Sequence, residues 1–376
     1  MSEGEEEDPQ FKVTPYEVEG IVDYNRLIEE FGLEPIDQDA REELTNAFGD
    51  HYMIRRGYFF SHRDIEKILD AYREGRPFYL YTGRGPSGRT HVGQIAVWTF
   101  TKHLQETTGK KLIFQVTDDE KYLTKDKTFN EISKYTKENI LDIIAVGFDP
   151  EKTEILVDTW NANTLYPIAI RAAKRINFSM VRSVFGFEVS DNIGKIFFTS
   201  MQSAPAFLES KRQGKTVRCL IPLGVDQDPH FRLTRDVAQK LGYPKPSILH
   251  GRLLPSLQEG GKMSSSQPKT TIFTTDNPEE VEEKVHEAFT GGRATAKEQR
   301  ELGGEPEICP IFLYEYYFLE PADEKVEKIK RRCKEGKLLC GEHKRKFTKK
   351  VNQFLTKHQK RREKAKDEVD RFLVKD

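Results

Sequence analysis

Long apolar runs are missing from this chain. No stretch of about 18 apolar residues occurs, so a membrane-spanning helix is not expected. The opening, MSEGEEEDPQ, lacks both the basic start and the apolar core of a secretory leader. Residues 1–16 read instead as an acidic, flexible tail, and the protein as cytoplasmic. Cysteine is scarce, with four residues at Cys219, Cys309, Cys333 and Cys340. None is spaced as Cys-x2-Cys, which gives a zinc site poor support and favours reduced thiols over a disulfide framework. No metal-ligating set is assigned.

Neither sign of charge dominates: 60 Lys+Arg against 61 Asp+Glu leave a net charge of -1. That balance is only global. Between Lys325 and Lys366 there are 18 Lys+Arg and 4 Asp+Glu, a local excess of 14 positive charges. A solvated helix face normally mixes its charges, whereas a run of nearly one sign points to a polyanionic partner such as nucleic acid. Disorder of the whole chain is excluded by 36% hydrophobic and 11% aromatic residues, and 376 residues suit one large α/β domain with a smaller companion.

Along the chain, a mixed segment from about 17 to 60 contains a helix candidate at Asp39–Ala47. Apolar strands then alternate with amphipathic helices, the pattern of parallel βαβ units. Strands are expected at Pro77–Arg84, Lys111–Thr117, Glu154–Asp158, Val217–Gly224 and Ser247–Leu254. His91–Leu104 is apolar around most of its circumference and reads as a buried helix. Glu131–Val146 carries apolar residues at helical spacing before the stop signals Gly147 and Pro150. Asp228 with Pro229 looks like an N-cap followed by a first helical residue. Beyond Pro278–Phe289 the sequence is helical and charged, which places a boundary near 275–285.

Two constellations carry chemistry. Tyr81–Gln94 (YTGRGPSGRTHVGQ) lies between a strand and a buried helix. Its glycines allow close backbone approach, and the following helix offers unpaired N–H groups and its positive dipole end to phosphate. An ordinary glycine-rich turn has the same composition. The second, Lys262–Ser266 (KMSSS) after Gly260 and Gly261, combines a mobile loop, a point positive charge and hydroxyl donors. Such a loop can close on a triphosphate and stabilise charge on departing pyrophosphate. About 170 residues of βαβ pattern separate the two.

Together these segments resemble the HIGH and KMSKS signatures of class I aminoacyl-tRNA synthetases. FYLYTGRGPS at Phe78–Ser87, TDDEKY at Thr117–Tyr122 and VDQDPHFR at Val225–Arg232 are similar to the eukaryotic and archaeal tryptophanyl-tRNA synthetases. The resemblance runs from about residue 55 to the end. It implies a Rossmann-type parallel-sheet catalytic domain over 17–280 and an all-helical anticodon-binding domain over 281–376, whose last helix could return to the catalytic domain. It also implies that tryptophan is activated with ATP and transferred to the 3′ end of its tRNA, with Mg2+ accompanying ATP, in a homodimer with no membrane association.

By the same resemblance, Tyr81 and Gln115 would bind the indole N–H, and Glu120, Gln202 and Gln227 the α-ammonium group, with Phe231 lining the tryptophan site. Arg84, His91, Gly93, Gln94, Lys262, Met263 and Ser264 would contact ATP. Lys262, Ser264, Ser265 and His91 would act in catalysis. Two departures stand out: Gln94 replaces the second histidine of the HIGH motif, and Ser265 the second lysine of KMSKS. Asp226 and Asp228 read as structural caps rather than magnesium ligands. Tyrosyl-tRNA synthetase, a small-molecule adenylyltransferase and a catalytically silent RNA-binding paralogue are the alternatives.

Overall fold

The computed structural model describes residues 12–13, 18–19 and 22–376. Residues 1–11, and with them most of the segment read as a flexible tail, lie outside the described residues. β1 (Lys12–Val13), near the end of that segment, pairs antiparallel with β2 (Val18–Glu19), just beyond it.

The remaining strands form one sheet: β3 (Glu34–Pro35), β4 (Phe59–Arg63), β5 (Phe78–Arg84), β6 (Leu112–Val116), β7 (Thr153–Val157), β8 (Arg218–Gly224) and β9 (Ser247–Gly251). Their order is β3-β4-β9-β8-β5-β6-β7, with β9 through β7 parallel and β3 and β4 antiparallel at one edge. The sheet is therefore mixed. β3, two residues long, falls in the segment that the sequence left as mixed, where alternation is too brief to show, and β4 starts at the end of that segment.

Side chains alternate across the pleat, so each strand feeds two cores. Phe78 and Leu80 of β5 join Leu112 and Phe114 of β6 on one face, beneath the helices Val92–Thr108 and Phe129–Val146. Tyr79, Tyr81, Ile113 and Ile221 face the other way, beneath Ala162–Ala173, Ile193–Met201 and Asp228–Ala238. Helix Val92–Thr108 contributes Ile95, Trp98, Phe100 and Leu104 to the first core, which explains its nearly uniform hydrophobicity. Helix Phe129–Val146 begins with a reciprocal cap, in which Thr128 N–H donates to Glu131 at 2.8 Å and Glu131 N–H to Thr128 Oγ1 at 3.3 Å.

The helical region, which starts with Pro278–Glu287, shares the first core. Along the 26-residue helix Cys340–Ala365, Phe347, Val351 and Leu355 recur every four residues and pack with the strand and helix side chains of that core. Part of the basic run is spent here. Arg362 and His358 hold the buried Asp142 at 2.6 and 2.9 Å, and Lys350 donates to Glu320 at 3.0 Å. After this helix the chain crosses back to the sheet, where Val374 N–H donates to Ile155 O at 3.1 Å, along the free edge of β7. Among the described residues no helix is long and apolar enough to cross a membrane.

Asp228 corrects the sequence reading. Gln227 occupies the N-cap position, and Asp228 is the first helical residue. Its carboxylate takes a two-pronged bond from Arg63, 2.8 Å on each oxygen, and a third from His250 Nε2 at 2.9 Å. Asp228 thus ties helix Asp228–Ala238 to the antiparallel edge. Burial alone would raise its pKa, but the hydrogen bonds and charges of Arg63 and His250 hold it far below the usual carboxylate range. A depressed folded-state pKa stabilises the fold above the unfolded value near 3.8, and the contribution is lost as pH falls below it. Asp228→Asn is expected to cost about 3–5 kcal/mol at pH 7 in urea unfolding, because Arg63 is left without its buried partner. Between pH 4 and 2 the variant's stability should fall less steeply than that of the parent.

Candidate active site

The strand order reverses direction on either side of β5, and a crevice opens where the carboxyl ends of β5 and β8 part. This is where open α/β sheets bind ligands. A cavity of about 280 Å³ occupies the crevice, lined by Gly83, Arg84 and Gly85 from β5, Leu223 and Gly224 from β8, and the two motif loops.

At one end of it, Tyr81 and Gln115 stand on neighbouring strands and point to the same face. Tyr81 Oη donates to Gln115 Oε1 at 2.5 Å. Gln202, at the C-terminal end of helix Ile193–Met201, donates from Nε2 to Tyr81 Oη at 2.7 Å and to Gln115 Oε1 at 3.0 Å. Gln115 Nε2 in turn donates to both oxygens of Asp158, at 2.8 and 3.0 Å. Phe231 packs edge-on to Tyr81, with ring centroids 5.7 Å apart. The outcome is a buried group of acceptors beside aromatic surface.

Glu120 borders the same cavity. Thr117 Oγ1 donates to its Oε2 at 2.8 Å and Lys121 Nζ to its Oε1 at 2.6 Å. Burial opposes its charge, but Lys121, the His230 ring and these hydrogen bonds together keep its carboxyl below the usual range. It is ionised at neutral pH. A Cβ at Gly85 would come 2.0 Å from Lys121 Cε, so a side chain there would have to displace the end of Lys121 and disturb its pair with Glu120.

The other end is built from the two motifs, which are laced together. Val92 N–H donates to Ile272 O at 3.1 Å, Thr274 N–H to Thr90 O at 3.0 Å, and Ser265 Oγ to Arg89 O at 3.1 Å. Met263 is buried against Gly93, where a Cβ would come within 3.0 Å of its methyl carbon. Ser264 N–H donates to Thr271 Oγ1 at 3.2 Å, and its hydroxyl lies 2.8 Å from that of Ser266. The loop carrying KMSSS turns back at Gly260 and Gly261, with φ of +73° and +76°.

His91 sits at the N-terminus of helix Val92–Thr108. Burial first, then the positive charges of Arg84 and Lys262, keep its imidazole neutral well below its ordinary pKa. Gln94 caps the same helix, its Oε1 accepting from His91 N–H at 3.0 Å. Its NH2 group is left as a possible donor. Arg84 is lowered by burial to about 10 and stays charged. Its Nε donates to Asn139 Oδ1 at 2.8 Å, and Asn139 Nδ2 holds Gly88 O at 3.0 Å, so the glycine-rich loop is braced against helix Phe129–Val146.

Lys262 forms an ion pair with Asp226. Asp226 lies in the short turn Val225–Gln227 and is a lysine partner, not a cap. Gln227, which precedes the helix, lines the cavity as well. Lys121 and Arg252 are charged lining residues with no role in the sequence reading, which takes Asp226 only as a cap. TDDEKY contains Lys121 and VDQDPHFR contains Asp226, but their pairings become visible only when the chain is folded. Arg252, 4.2 Å above the Tyr24 ring, follows β9 with no motif around it.

Comparison with known proteins agrees with this geometry. Residues 73–356 match the family described as tRNA synthetases class I (W and Y). A tryptophan–tRNA ligase of Thermococcus onnurineus is 51% identical over 369 residues, covering 96% of this chain and 94% of the relative. One from Pyrobaculum aerophilum is 46% identical, covering 97% and 98%. The crystal structure of a tryptophanyl-tRNA synthetase from Encephalitozoon cuniculi bound to tryptophan superposes with a TM-score of 0.86 at 36% identity, covering 95% of this chain and 99% of that one. That of Plasmodium falciparum gives 0.86 at 38% identity, covering 93% and 95%. The chain belongs to the tryptophanyl-tRNA synthetases, within the class I tRNA synthetases for tryptophan and tyrosine.

Proposed function

We propose that the crevice activates L-tryptophan with ATP to give tryptophanyl-adenylate and pyrophosphate, and then passes tryptophan to the 3′ end of its tRNA. The observation that carries this reading is the order of chemistries along one cavity. Indole-sized aromatic surface with a buried acceptor group lies at one end, an ionised carboxylate in the middle, and two laced phosphate-type loops at the other.

In this reading the indole N–H is accepted at Tyr81 and Gln115, beside Phe231. A buried N–H needs an acceptor, and a site built around one penalises substrates without it. Glu120 holds the α-ammonium with the side-chain oxygens of Gln202 and Gln227. The nitrogen of Gln202 is already committed to the indole end, which leaves its oxygen for the cation. His91, Gly93, Gln94, Arg84, Met263 and Ser264 border the nucleotide, and Lys262 meets the phosphates. Magnesium enters as part of the ATP substrate, compensating its triphosphate charge. Glu120 and Asp226, which line the cavity, are each paired with a lysine.

The tryptophan carboxylate attacks the α-phosphorus in line and displaces pyrophosphate, and a ribose hydroxyl later attacks the activated carbonyl and releases AMP. Neither step needs an enzyme nucleophile. Catalysis rests on placement and on charge stabilisation by His91, Lys262, Ser264 and Ser265. Amino-acid-dependent ATP–pyrophosphate exchange tests the assignment: exchange with tryptophan alone supports it, and exchange with tyrosine transfers it to the sister activity.

The exposed side of the helical region supports tRNA binding. Lys344, Arg345, Lys349, Lys357 and Lys360 border an open groove along helix Cys340–Ala365. Lys349→Ala with Lys357→Ala is expected to weaken tRNA binding and to reduce the salt slope by about 2 in a log Kd against log [salt] plot. Tryptophan activation should not change. The same reading makes the protein a cytoplasmic homodimer. Tyr166 and Ile170, one turn apart on helix Ala162–Ala173, together with Ile193, are large apolar side chains left exposed on the catalytic part, as a partner surface requires.

A further inference from the structure

A glutamine amide has two ends of nearly equal size and opposite chemistry: a carbonyl that accepts and an NH2 that donates. Only the carbonyl can read an N–H. Gln115 therefore serves the site in one of its two orientations and defeats it in the other. Its neighbours in the pocket do not decide between them, because the Tyr81 hydroxyl donates and accepts equally well, and Gln202 also carries both kinds of group.

We infer that Asp158 is the specificity-positioning residue of this site, turning the Gln115 carbonyl toward the substrate by holding its NH2 from behind. The inference rests on the reading that Tyr81 and Gln115 receive the indole. Asp158 follows β7 directly and is 1% exposed, and its backbone N–H is anchored on Val116 O at 3.1 Å. Both of its oxygens lie on Gln115 Nε2, at 2.8 and 3.0 Å. A reversed amide would set a carbonyl oxygen against two carboxyl oxygens in a buried place and leave the NH2 facing the substrate's own N–H.

Asp119 completes the device. Its side chain is hydrogen-bonded to Asp158, and burial raises both carboxyls: the Asp119 charge adds to the rise at Asp158, and the charges of Asp118 and Glu120 help push Asp119 up to about 7. The two share a proton at neutral pH. Both Asp158 oxygens accept from Gln115 Nε2, which leaves the Asp119 side for the shared proton. Asp119 also accepts from Glu120 N–H at 2.7 Å. One chain of bonds thus runs from the residue facing the ammonium, through Asp119 and Asp158, to the residue facing the indole.

The test compares ATP–pyrophosphate exchange by the full chain on tryptophan and on 3-(benzothiophen-3-yl)alanine, whose ring sulfur replaces the indole N–H. The parent is expected to favour tryptophan by about 10²-fold or more in kcat/KM, as sites built for a donor do. In Asp158→Ala that ratio should collapse to about fivefold or less, mainly through loss of tryptophan, with the KM for ATP unchanged. Asp158→Asn should restore it, since its Oδ1 accepts from Gln115 while its Nδ2 donates to Asp119. An alanine variant that keeps the ratio, or that loses both substrates equally, overturns the inference, as does an asparagine variant no better than alanine. Asp158→Ser gives the same comparison if the alanine variant does not melt cooperatively. A parent enzyme indifferent to the sulfur analogue would instead sink the assignment of Tyr81 and Gln115, a result distinct from the others.

Discussion

Lys262→Ala is expected to slow tryptophan-dependent ATP–pyrophosphate exchange by about 10²–10³-fold, with the Kd for tryptophan within about twofold of the parent. Two terms combine. The variant loses the positive charge that would meet the phosphates, and it exposes them to Asp226, whose lysine partner has gone. The ion pair joins the KMSSS loop to the turn Val225–Gln227 and has no part in the hydrogen bonds among Tyr81, Gln115 and Gln202, which is why tryptophan binding should survive. Stopped-flow formation of the adenylate separates the two readouts. A collapse of tryptophan affinity would remove the lysine from this role. Pairing the change with Asp226→Asn should recover part of the loss, because the uncompensated negative charge is then removed.

Gln115→Ala is expected to act on the opposite end of the cavity. It removes the acceptor at the centre of a buried network and leaves Tyr81, Gln202 and Asp158 each short of a partner. Unsatisfied buried groups cost about 1–3 kcal/mol each, so a loss of about 10²-fold in kcat/KM for tryptophan is expected. The KM for ATP should stay within about threefold. Equal loss for both ligands would show that the substitution had loosened the crevice rather than its indole end.

The parts of this arrangement that the sequence announced are those with a local signature. The strands at Phe78, Leu112, Thr153, Arg218 and Ser247 start within one residue of where apolar alternation placed them. Helix Phe129–Val146 begins two residues before the periodic pattern because the reciprocal cap of Thr128 and Glu131 extends it. Both phosphate-type loops were legible because glycine clusters and KMSSS are contiguous.

What stayed hidden was pairing at a distance. Asp228 beside Pro229 reads as a cap, but a short turn at Val225–Gln227 runs straight into the helix and moves the cap to Gln227. That frees Asp228 for Arg63, 165 residues earlier in the chain. Asp158 carries no signal at all in a sequence. Its importance comes from lying behind Gln115, 43 residues away, where both side chains are buried. The basic run was legible as charge but not as geometry. Arg362 faces inward and serves Asp142, while Lys357 and Lys360 border the open groove.

The shared core beneath helix Cys340–Ala365 also acts as a ruler. Phe347, Val351 and Leu355 are seated among the same side chains that support the sheet, and the chain end is stitched to β7. The basic groove and the crevice are therefore built on one core, whose packing sets the span between them. A long polyanion touching both places must conform to that length. A molecule with the correct end but the wrong reach would be refused by dimension alone, before any base is read.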